Sequence, residues 1–323
     1  MCRRRLARHH LLERTDDIVR AVRDIGGVQA QLPSAAEWSI GARVDGITAE
    51  DVRAELYERK RLLKMYTLRG TLHLVPSDEA AMWAAATRPV DDSDELVDAI
   101  DRALRGQCLT RTQLAEAVGD ERLLSQWGDF VSPAATRGVL CFGKPQGSKV
   151  TFVHRDDWGV PWKRHARATA QREAARRYLY AYGPAAPKDF ARWMHIEPAE
   201  ATAAFDGLAD DNDEGEVPPA GPTAVRLLPQ YDAYILGAFP RDKVVPAEAK
   251  PRISTYGKGR WEGPAALPLV VVDGVVAGMW ARKGLKVTVE PFVDIDQTLL
   301  EAEVERLGAF LNRQASLTVG RLP

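Results

Sequence analysis

Two glutamines set two residues apart, in Val28-Gln29-Ala30-Gln31, are the side chains whose type and spacing first suggest chemistry. In an extended segment they project to the same side, where two carboxamides could hold one water or one sugar between them. On a helix they would diverge. The preceding Gly26-Gly27 ends a helix that carries Ile18, Val22 and Ile25 at helical spacing, which leaves the glutamines outside it. On spacing alone, ordinary surface or structural glutamines are the commoner reading of such a pair.

Further polar side chains stand nearby in the sequence. The stretch 66–75 alternates as a strand, with Tyr66, Leu68, Leu72 and Leu74 on one face and Thr67, Arg69, Thr71 and His73 on the other. Arg69 and His73 could reach a phosphate from there; the alternative is a surface arginine and a hydrogen-bonded histidine. Six histidines at scattered positions, without HExxH or comparable spacing, predict no metal site. Gly257-Lys258-Gly259 lacks the spacing and following helix of a nucleotide-phosphate loop, so no cofactor is expected.

The formal net charge of -1 announces no global field for a polyanion. Phosphate contacts need only a basic face, and Arg3, Arg4, Arg5, Arg8, His9, His10, Arg14, Arg20 and Arg23 make the start of the chain basic. Acidic runs lie at 91–101 and 206–216; each run taken alone reads as solvated surface. Three cysteines without CxxC spacing fit neither a disulfide framework nor a zinc site, and predict a reducing cytoplasm. A charged N-terminus and the lack of a long apolar run predict neither export nor a membrane partner.

The elements that must position these residues recur in a coarse plan. A chain of 323 residues can bury about two to four domain cores. Thr15 is a candidate N-cap for the first helix, Thr48 for a second, and another helix follows Pro76-Ser77. Thr110 to Gln113 spells a capping box before Leu114, Val118 and Gly119. Ser132-Pro133 starts a helix reaching about residue 140, and a turn-rich piece leads into alternating residues 149–154. Helices followed by a hairpin is the winged-helix order.

From residue 166 a long basic helix runs to Tyr182, Gly183-Pro184 breaks it, and short helices follow around 189–194 and after Glu197-Pro198. A wing is expected at 223–228, its partner hidden by an exposed, mobile loop at 210–222. Beyond Pro229 come strands 269–272, 275–280 and 286–291, the first two joined by Asp273-Gly274, and a terminal helix presenting Leu300, Val304, Leu307 and Leu311. The fold class is therefore α+β: tandem winged-helix domains at 1–105, 106–165 and 166–229, then a small β-barrel-like domain at 230–323.

Several segments, in this order, resemble the AlkZ/YcaQ-like winged-helix DNA glycosylases, the family of the azinomycin self-resistance enzyme. They are Gly27-Val28-Gln29-Ala30-Gln31 followed by Trp38, Leu68-Arg69-Gly70-Thr71-Leu72-His73-Leu74, Tyr182-Gly183-Pro184 with Phe190-Ala191-Arg192-Trp193, and Leu227-Leu228-Pro229-Gln230-Tyr231-Asp232. The resemblance covers most of the chain. It implies tandem winged helices and a C-terminal β-barrel around a concave DNA-binding surface, with Gln29 and Gln31 matching the catalytic motif of Gln, a nonpolar residue, then Gln or Asp.

Its implied activity is removal of an alkylated base from double-stranded DNA. A purine alkylated at N7 carries positive charge and leaves readily, so oriented amide dipoles suffice to stabilise an oxocarbenium-like sugar and position water. No lysine matches the motif, so simple hydrolysis to an abasic site by a monomer without metal or cofactor is expected. Arg69 and His73 could reach phosphate or lesion, and Tyr231, Asp232, Arg241 and Lys243 could form a DNA-contacting loop. Asp232 capping a turn and pairing with an arginine is an equal alternative, and Trp38 and Trp193 read as packing residues. The competing functions are a winged-helix regulator without chemistry and an interaction scaffold without DNA affinity.

Overall fold

A computed structural model describes residues 2–87, 94–125, 128–209, 218–257 and 263–322. Residues 2–76 form helices α1 (Cys2–Arg8) and α2 (Ile18–Asp24), strand β1 (Val28–Gln29), helices α3 (Pro33–Gly41) and α4 (Ala49–Tyr57), and strands β2 (Leu62–Tyr66) and β3 (Leu72–Pro76). The Asp17 carboxylate, rather than Thr15, caps α2 by accepting from the Val19 and Arg20 amides. Thr48 and Asp51 make the capping box that starts α4. Helices α1 and α3 were not expected from periodicity. Pro33 supplies the first-turn proline that starts α3 without a side-chain cap.

The expected single strand over 66–75 is instead a hairpin. Arg69 and Gly70 both take positive φ, 57° and 65°, and reverse the chain between β2 and β3. These strands pair antiparallel in the order β1-β3-β2, with Gln29 opposite His73 and His73 opposite Met65.

The next stretch holds α5 (Ala80–Ala86), α6 (Asp94–Leu104), β4 (Cys108–Thr110), α7 (Arg111–Val118), α8 (Ser132–Thr136), β5 (Leu140–Phe142), β6 (Thr151–His154) and α9 (Arg155–Trp158). Thr110 and Gln113 form the anticipated capping box, and left-handed Gly119 ends α7. Helix α8 is shorter than expected: the chain turns at Gly138, where φ is 72°, and enters β5. From α6 to β6 the succession helix, strand, helix, helix, strand, strand repeats that from α2 to β3. In both three-stranded sheets the last strand lies in the middle.

The remainder comprises α10 (Arg167–Tyr182), α11 (Pro187–Met194), α12 (Pro198–Phe205), β7 (Val225–Leu228), α13 (Ala233–Leu236), α14 (Lys250–Gly257), β8 (Leu269–Val272), β9 (Val275–Lys283), β10 (Lys286–Pro291), α15 (Gln297–Phe310) and β11 (Ser316–Val319). The wing expected at 223–228 is corrected by its pairing: β7 lies antiparallel to β8, with Val225 opposite Val272. That partner is too distant in sequence for local pattern to reveal. The loop expected at 210–222 falls mostly outside the described residues. The strands order as β11-β10-β9-β8-β7, an open sheet with β11 and β7 at its edges among the described residues, where barrel-like closure was expected.

Side chains from both ends of the sequence fill one core, in which N-terminal residues such as Leu6, Ile25 and Ile40 are buried with Val270, Val287 and Leu307. Trp38 donates its indole N–H to the Leu227 carbonyl at 2.7 Å and meets Phe310 edge-on. The basic chain start is likewise structural. Arg4 and Arg5 are buried and donate to the Gly183 and Tyr182 carbonyls, while Arg8 donates to Tyr180. Guanidinium groups thereby satisfy carbonyls left open at the end of α10, where cations are favoured. At those residues the expectation of a basic face gives way to helix capping.

Candidate active site

Gly27, at φ +99°, lets the backbone pass close to β3: a Cβ there would stand 3.2 Å from the Leu74 carbonyl. The chain then lies extended beside β3, with the Ala30 amide donating to the Leu72 carbonyl at 2.7 Å. Each glutamine is tethered to the same hairpin. Arg69 Nη2 donates to Gln29 Oε1 at 3.0 Å, and the Leu72 amide donates to Gln31 Oε1 at 3.2 Å. Gln29 is buried and Gln31 is exposed, so the pair runs from the protein interior to its surface. An amide oxygen has two lone pairs, and among the described residues each of the two Oε1 atoms accepts one such hydrogen bond. What each side chain still offers is a second lone pair and its amide hydrogens.

Arg69 is itself held twice, because Nη1 donates to the Trp193 carbonyl at 2.9 Å. Trp193 sits in a cluster with Tyr178, Tyr182, Phe190 and Trp83, ring centroids 5.0 to 6.1 Å apart. Gly26 makes room for it: a Cβ at that position would come within 3.0 Å of the indole. The aromatic packing of α10 and α11 thus fixes the anchor of the Gln29 carboxamide. Trp38 and Trp193 are both buried, as expected of packing residues.

His73 lies beside Gln29 in the sheet but is fully buried, not on a solvent face. Burial first, and the Arg69 charge second, push its pKa down to about 3, so the imidazole is neutral. Its Nδ1 lies 3.0 Å from the Thr71 carbonyl, to which a neutral ring donates. The site therefore pairs neutral amides with a neutral imidazole.

Next to Arg69 opens a cavity of about 610 Å³ that Arg192, His195, Phe239 and Arg241 also line. Arg192 and Arg241 lie over the Phe239 ring, 4.5 and 5.1 Å from its centroid. Arg69 and His195 both hang from left-handed backbone, at φ 57° and 61°, a cost that the surrounding packing sustains.

The structure brings Gln29, Gln31, Arg69 and His73 together, with Arg241 lining the same cavity as Arg69. It does not bring the rest. Asp232 is buried with both oxygens engaged: it accepts from Arg43 at 2.8 and 2.7 Å, from Ser39, and from the Tyr234 amide that starts α13. The DNA-contact expectation for Asp232 is overturned, since neither oxygen faces solvent. Tyr231 is half-buried against the core in left-handed backbone, and Lys243 is exposed but outside the cavity lining. Arg192, His195 and Phe239 escaped the sequence reading. Their signal was faint, a basic residue in the last turn of α11 within Phe190-Ala191-Arg192-Trp193. Among the described residues no group of three potential metal ligands occurs, and no helix is long and apolar enough to cross a membrane.

Residues 22–310 match the family described as DNA glycosylase AlkZ-like, and the chain belongs to that family. The interstrand DNA cross-link repair glycosylase of Streptomyces sahachiroi is 31% identical, over 92% of this chain and 90% of its own. The solved structure of the Streptomyces sahachiroi DNA glycosylase AlkZ superposes with a TM-score of 0.84 at 27% identity, covering 99% of this chain and 98% of that one.

Proposed function

We propose that this DNA glycosylase hydrolyses the N-glycosidic bond of purines alkylated at N7 in duplex DNA, bulky or crosslinked adducts included, in repair or in self-resistance to a genotoxic natural product. The observation that carries the reading is the tethering of Gln29 and Gln31 to one hairpin, each with amide hydrogens and an oxygen lone pair to spare. The two carboxamides together stabilise the developing charge on the sugar and position the water. Neutral amides, and a histidine unprotonated down to about pH 3, cannot assist a poor leaving group. A substrate that carries its own positive charge suits these three side chains.

Within this reading the two repeated successions, α2 to β3 and α6 to β6, serve as winged helices, and the remaining helices with the five-stranded sheet that joins β7 to β8 complete the DNA-binding frame. The enzyme acts as a cytoplasmic monomer and leaves an abasic site. The test is a panel of alkylated duplex oligonucleotides, with an N7-methylguanine and a bulky N7 adduct, scored for free modified base. Release of either base supports the proposal; sequence-specific binding without release from any member contradicts it.

A further inference from the structure

We propose that the cavity between Arg69, Arg192, His195 and Arg241 is a subsite for one backbone phosphate of the damaged strand, and that Arg69 couples its filling to the Gln29 carboxamide. The inference rests on the glycosylase reading and adds to it the anchor that sets the register of the strand against the paired glutamines. Three guanidinium groups come from three separate parts of the fold: the β2–β3 turn, the last turn of α11, and the segment after α13. Guanidinium forks match the geometry of phosphate oxygens, and several from different segments define a point rather than a diffuse basic face.

Among the described residues Phe239 is the aromatic ring that lines the cavity, and its engagement favours an anion over an extruded base. Both Arg192 and Arg241 lie over Phe239, so that ring organises cations and is not a free stacking platform. His195 is exposed and lines the cavity, on left-handed backbone that ends α11, where an imidazole N–H can donate to a phosphate oxygen. The link to chemistry is direct. Arg69 lines this cavity and also donates to Gln29 Oε1 at 3.0 Å, so a phosphate drawn to its guanidinium bears on the side chain that orients Gln29.

The test is a binding cycle on the full chain. A duplex with a stable abasic-site analogue is made with one neutral methylphosphonate at each position of the damaged strand in turn, and titrated with wild type, Arg192→Ala and Arg241→Ala. At one position the neutral linkage should weaken wild type about tenfold and lower the slope of log affinity against log salt by about 0.9. Arg192→Ala should bind the unmodified duplex about tenfold more weakly and lose clearly less than wild type at that same position, where Arg69 and Arg241 remain. Arg192 is exposed, so folding is not at stake, and equal melting temperatures confirm it. Additive losses at every position overturn the proposal. So does competition by millimolar inorganic phosphate through Arg192 without any methylphosphonate-sensitive position, which would assign the cavity to a free anion. In either case wild type would still release base, whereas failure of the glycosylase reading shows as no release with the binding cycle intact.

Discussion

Arg69 holds Gln29: its Nη2 lies 3.0 Å from Oε1, while its other terminal nitrogen is spent 2.9 Å from the Trp193 carbonyl. The carboxamide is therefore oriented by a fork whose second prong is fixed in the packed interior. Neither lysine nor a shorter chain reproduces that geometry.

Arg69→Ala should lower the single-turnover rate of base release about tenfold or more, because Gln29 loses its orientation. Arg69→Lys keeps a positive charge and should bind DNA nearly as well, yet remain slow. A lysine variant with wild-type rate would reduce Arg69 to its charge.

The Arg43–Asp232 pair has both side chains fully buried, with contacts of 2.7 and 2.8 Å. Asp232→Ala leaves an uncompensated guanidinium inside the fold and should cost about 3 to 5 kcal/mol of stability, read by denaturant unfolding. Affinity of the folded fraction for DNA should not change. A weakened affinity at unchanged stability would return Asp232 to the DNA contacts.

How much of this was legible in sequence follows from which forces were local. Caps at Thr48 and Thr110, the Asp273-Gly274 hairpin and the apolar stripe of α15 all depend on neighbours within a few residues, and the structure has them. The 66–75 run misled because alternation continues through a turn; only the positive φ of Arg69 and Gly70 separates one strand from two. Strand β7 misled because its partner begins more than forty residues later. The glutamine pair was visible as spacing, but its anchors, Arg69 and Leu72, and the Arg192–Phe239–Arg241 cavity are tertiary contacts.

Two buried histidines make stability depend on pH. His73 is pushed to about 3 and His9 well below its usual value, both chiefly by burial, so the unfolded chain binds protons that the folded chain refuses. Stability should be full above about pH 6.5 and fall below it, by about 1.4 kcal/mol per pH unit for each histidine, with the His73 contribution levelling off near its folded value of about 3. Unfolding curves of His73→Gln should show a shallower decline; an unchanged slope would mean His73 is protonated in the fold.

Catalysis should ignore pH over the range in which the fold is stable. Neither Gln29 nor Gln31 titrates, and a cationic purine needs no acid, so the rate of base release should be flat from about pH 6.5 to about 9. A bell-shaped profile would call for a titrating acid or base that the paired glutamines do not supply.

The central claim is that Gln29 and Gln31 carry the reaction. Single-turnover release of free N7-methylguanine from duplex DNA, measured for wild type, Gln29→Ala, Gln31→Ala and the double variant at matched thermal stability, tests it most directly. The expected result is release by wild type with the strand left unbroken until heated in alkali, a fall of about a hundredfold or more for each single variant, and little further loss in the double. Equal release by wild type and the double variant would contradict the claim.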